Sequence, residues 1–110
     1  MTLNQFANVD SYLRDLDNGK QLEWREYMLR VITKIGIGNI KPYLPCSLDD
    51  IREKLKKDVH LNNIPLKDWD FRADCMHSLL WRNKITYYSL SERVCLLKET
   101  ARLLCEMEGR

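Results

Sequence analysis

The segment 85–108 constrains this chain most, because its residues fit two backbone patterns that lead to different folds. Read as a helix, it opens at Ser89-Leu90-Ser91-Glu92, a Ser-x-x-Glu capping box in which hydroxyl and carboxylate each satisfy an orphan backbone N–H. Leu90, Val94, Leu97, Ala101 and Leu104 then alternate spacings of four and three, a heptad seam. Read as a β-hairpin, Ile85-Thr86-Tyr87-Tyr88 is one strand, the chain turns near Ser91-Glu92, and Arg93-Val94-Cys95-Leu96-Leu97 returns. The helix fits better. A tight hairpin wants Gly, Asn or Asp at its turn, and Leu90-Ser91-Glu92 offers none. Val94-Cys95-Leu96-Leu97 is also apolar on both faces, and 99–107 is rich in helix formers. The expected fold is all-α, a compact bundle of about five helices in one domain over 1–110, ending in the capped helix.

The rest of the chain reads the same way. Phe6, Val9, Leu13 and Leu16 recur at helical spacing, which predicts a first helix over 4–17, stopped by Asn18-Gly19. Trp24, Tyr27, Met28, Val31, Ile32 and Ile35 form the cleanest amphipathic stripe, and Trp24, Met28, Val31 and Ile35 are expected in the core. That second helix should end at Gly36. Two glycines and two prolines then crowd 36–45, so 36–46 is expected to be a connector without helix. Its Gly-x-Gly follows a helix and lacks the third glycine of a dinucleotide loop. Ser47-Leu48-Asp49-Asp50 caps a third helix with Leu48, Ile51 and Leu55 inward. A loop over 58–63 and Pro65 introduce a fourth, striped by Leu66, Trp69, Ala73, Met76 and Leu80.

The hairpin alternative has its own consequence. The segments 47–57, 66–81 and 85–97 can be laid on the order of a winged helix, and 79–88 looks like the junction between recognition helix and wing. This resemblance covers about half the chain and is to a fold pattern rather than to a family. It implies a small helix-turn-helix or winged-helix DNA-binding regulator.

Charge bears on that choice. The net charge is +2, far from the strong basicity of a dedicated nucleic-acid binder. Within it, 27–57 carries seven bases against three acids, a local balance of +4. Arg52, Lys54, Lys56 and Lys57 make a basic stripe, and Lys84, Tyr87 and Tyr88 with Trp81 and Arg82 could stack bases and hold phosphates. Against nucleic acid, the would-be recognition helix sets Asp68, Asp70 and Asp74 against Lys67 and Arg72, and acids facing a polyanion are costly.

Chemistry-bearing motifs are sparse. Cys75 and His77 are two apart on a helix, and Cys46 and His60 are separated by a whole helix, so no zinc spacing arises. No nucleophile elbow or phosphate loop accompanies the two histidines. The expectation is a non-enzyme without metal or cofactor. The N-terminus shows no basic and apolar leader pattern, and no apolar run reaches the ~18 residues of a membrane span. A cytoplasmic setting is therefore expected, with the four cysteines reduced and packed as small apolar groups.

One surplus remains. Leu96, Leu103 and Met107 form a second apolar stripe on the C-terminal helix, about 100° round from the first. A helix apolar on two sides is either central in its bundle or buried in a partner. The expectation is an adaptor, assembly subunit or inhibitor that binds another protein or a second copy of itself. Its interface would use Trp81, Arg82, Leu96, Leu103 and Met107, aromatic and Arg residues being common hot spots.

Overall fold

The computed structural model describes residues 18–57, 61–78 and 89–109. Five α-helices run through them: α1 (Asn18–Ile35), α2 (Ile37–Ile40), α3 (Leu48–Lys56), α4 (Leu66–Met76) and α5 (Leu90–Glu108). Two single turns of 3₁₀-helix, Lys41–Tyr43 and Leu61–Asn63, join them. The fold is all-α, and no strand occurs among the described residues. The helix expected over 4–17 lies outside the described residues.

Helix α5 decides the fork at the C-terminus. Ser89 takes an extended conformation, its Oγ accepts from the Glu92 backbone N–H at 3.3 Å, and its own N–H donates to Glu92 Oε1 at 3.3 Å. Both halves of the capping box are therefore formed, and the chain is helical across Leu90 to Leu97, where the second hairpin strand was to lie. The winged alternative fails there for want of turn residues. Its first strand, 85–88, lies outside the described residues.

Helix α5 is also the axis of the bundle. It packs against α1, α3 and α4. Val94, Cys95, Leu96, Leu97, Ala101, Leu103, Leu104 and Cys105 are all buried. So are Lys98 and Thr100, whose hydroxyl donates back to the Leu96 carbonyl. Both apolar stripes are thus used inside the chain. Each large aliphatic side chain so covered contributes roughly 1.5–3 kcal/mol.

The outer helices present the faces their periodicity demands. On α1, Trp24, Met28 and Ile32 are buried, while Val31 and Ile35 are half-buried at the margin of the core. The inward line therefore runs through Ile32 rather than Val31. Asn18 and Gly19 belong to α1, and the helix they were expected to stop lies outside the described residues. On α3, the Ser47 hydroxyl accepts from Asp50 N at 3.2 Å, as the cap required. Leu48 and Ile51 are buried, but Leu55 is 39% exposed, because this short helix leaves the core before its last turn. Pro65 stands at the N-cap of α4, where its missing N–H costs nothing. Trp69, Ala73 and Met76 are buried, and Trp69 Nε1 reaches the Leu61 carbonyl at 3.4 Å.

The connector corrects the sequence reading. Gly36 does break α1, with φ +89°, which side-chain-bearing residues rarely adopt. The chain then resumes as α2 and a 3₁₀ turn instead of running irregular. Pro42 is accommodated because it sits in the first residues of that turn, where no donor is needed. Ile40 and Leu44 drive the coiling by burying themselves in the core.

Two substitutions test this arrangement. Ser89→Ala removes the cap of the central helix and should lower stability by about 1 kcal/mol in urea denaturation. Leu103→Glu would place a charge in the core and should abolish the cooperative thermal transition, since such burial costs several kcal/mol, on the order of total stability. An intact melt for Leu103→Glu would mean that its face is open to solvent.

Candidate interaction surface

Of the residues expected to bind a partner, the described ones pack against the chain's own core. Leu96 and Leu103 are only 4% and 3% exposed, covered by the chain's own helices, and Met107 is half-buried against the same core. The outward apolar arc expected on the last helix is therefore absent there. Its physical reason is the position of α5 between three neighbours, which uses both stripes. Trp81 and Arg82 lie outside the described residues.

The basic set divides as well. Arg52 is committed to carboxylates, pairing with Glu108 at 3.2 Å and with Asp49 at 2.8 Å. Lys54 and Lys57 share the lining of a shallow cleft of about 330 Å³ with Asp50, Glu53 and Asn63. Lys56 and Lys57 are exposed. Lys84, Tyr87 and Tyr88 lie outside the described residues. The described part of the stripe thus meets acids on its own helix, and its field is muted accordingly.

Ion pairs converge instead on the last turn of α5. Glu106 pairs with Arg25 of α1, and Glu108 pairs with Lys41 and with Arg52 of α3. Two acids at a helix C-terminus oppose the macrodipole, and these three cations offset that cost. Hydrogen bonding from Lys41 holds the Glu108 carboxyl below the ordinary glutamate range, with Arg52 adding to the effect against some desolvation. A lowered carboxyl stabilises the fold above its unfolded-state pKa and loses that contribution as pH falls through its folded value. Glu108→Gln should therefore flatten the acid side of a Tm-against-pH curve; an unchanged acid limb would show that the network carries no net stability.

A second cleft of about 250 Å³ adjoins the first at Cys46 and is lined by Lys41, Leu44, Ser47, Leu48, Asp49 and Glu108. Burial pushes the Cys46 thiol up, and Asp50 adds to it. It is held protonated at neutral pH and is a poor nucleophile in that state. The same burial raises Cys105, whose Sγ lies 3.7 Å from the Leu48 carbonyl. None of the four cysteines is joined in a disulfide; Cys95 and Cys105 are buried and Cys46 and Cys75 half-buried. Among the described residues no three His, Cys, Asp or Glu side chains cluster as metal ligands. No helix of these residues is long and apolar enough to cross a membrane.

Asp74 pairs with Arg93 of α5 at 2.9 Å. Asp70, one turn earlier, has a buried Oδ1 that finds no hydrogen-bond partner among the described residues, and Arg93 Nε is equally unmatched. Desolvation raises the Asp70 carboxyl, and the Asp74 charge raises it further. The fold thus favours neutral Asp70, so its ionised form is a liability at neutral pH. Asp70→Asn should raise Tm at pH 7, and the gain should vanish below the ordinary aspartate range, where Asp70 is protonated in both states. A drop in Tm at pH 7 would contradict this.

What stands out on the surface is apolar and lies elsewhere. Leu22 and Leu29 of α1 are 61% and 37% exposed, and Phe71 of α4 is 61% exposed. Leu22 and Leu29 are seven residues apart, about two turns, so they share one flank of α1 beside the core-facing stripe. Exposed Glu26 and half-buried Arg25 border them. Phe71 follows the buried Trp69 by two positions and points away from the core, with the Arg72 guanidinium 5.4 Å from its ring. The seven-residue spacing of the two leucines was the signal available in the sequence.

Comparison with protein-family models, with curated proteins and with solved structures returns no match for this chain.

Proposed function

We propose that this protein is a non-enzymatic protein-interaction module, an adaptor, assembly subunit or inhibitor, that meets its partner through the outer flank of α1. The observation that carries this reading is the exposure of Leu22 and Leu29 on one flank of a helix whose core-facing stripe, Trp24, Met28 and Ile32, is buried. Large apolar side chains aligned on a surface are a common mark of a contact site. The mixed charge around them, with Arg25 and Glu26 at the border, suits a polar rim that fixes register more than it attracts a polyanion. The partner is another protein or a second copy of this chain. Self-association through Leu96 and Leu103 is not part of the proposal, since both are spent in the core.

The test compares tagged wild type with the double variant Leu22→Glu, Leu29→Glu. Both positions are exposed, so the variant should keep its helix content and melt close to the parent. Proteins cross-linked in cells to the wild type and identified by mass spectrometry should be lost from the variant. If the contact is with a second copy, the solution mass should fall from dimer to monomer instead. Identical partners and identical mass for both proteins would overturn the reading. So would nucleic acid co-purifying with the protein, seen in the 260/280 nm ratio, and released by Lys56→Ala with Lys57→Ala.

A further inference from the structure

We draw no further inference here: the strongest candidate, the exposed Leu22–Leu29 flank of α1, belongs to the surface already described, and nothing in the structure shows what covers it.

Discussion

Helix α5 keeps only a narrow polar strip, Glu92, Glu99, Arg102 and Glu106, toward water, and the rest of the bundle covers the remainder. Its buried residues include consecutive ones, Val94 to Lys98, which a two-layer packing could not hide. An amphipathic helix needs one neighbour; a helix apolar round most of its circumference needs several. Here α1, α3 and α4 meet that demand, each contributing one narrow stripe. The outer helices can therefore stay ordinary, with charged outer faces, because the exceptional hydrophobicity is concentrated in one element.

That centrality changes what the apolar surplus of α5 means. A second stripe on a helix at the edge of a bundle would be a contact site, whereas on an axial helix it is a second wall of the core. The same geometry explains the acids at its end. Glu106 and Glu108 sit where the helix dipole disfavours them, yet they are where cations of α1, α3 and the connector converge. The network joins the end of the axis to three surrounding segments, which spatially fixes how the outer elements approach it.

Local chemistry was legible in the sequence. The caps at Ser47 and Ser89 and the Gly36 break rest on interactions within a few residues, and the structure contains them. Of the stripes, Trp24, Met28 and Ile32 of α1 and Trp69, Ala73 and Met76 of α4 are buried, Val31, Ile35 and Leu66 are half-buried, and Leu80 lies outside the described residues. What depended on distant residues was not legible. Whether Leu96 and Leu103 faced the chain's own core or a partner is decided by helices tens of residues away. Arg52 looked like part of a free basic stripe because its partner Glu108 lies 56 positions on. The connector was misread for a different reason: glycine and proline content forbids a long helix but permits single turns, and buried Ile40 rewards them. Leu22 and Leu29 escaped notice because they stand beside a stronger stripe.

The order of elements along the chain has a consequence of its own. The axis of the bundle is the last of the described helices to leave the ribosome. Until 94–105 have emerged, Trp24, Met28, Ile51, Trp69 and Met76 lack the central helix that completes their shared core. Synthesis at about 5–20 residues per second makes this an interval of seconds between α1 and α5, long compared with collapse. Folding of the described bundle is thus timed by α5, and its inward faces are most open to chaperones, or to aggregation, just before that helix arrives.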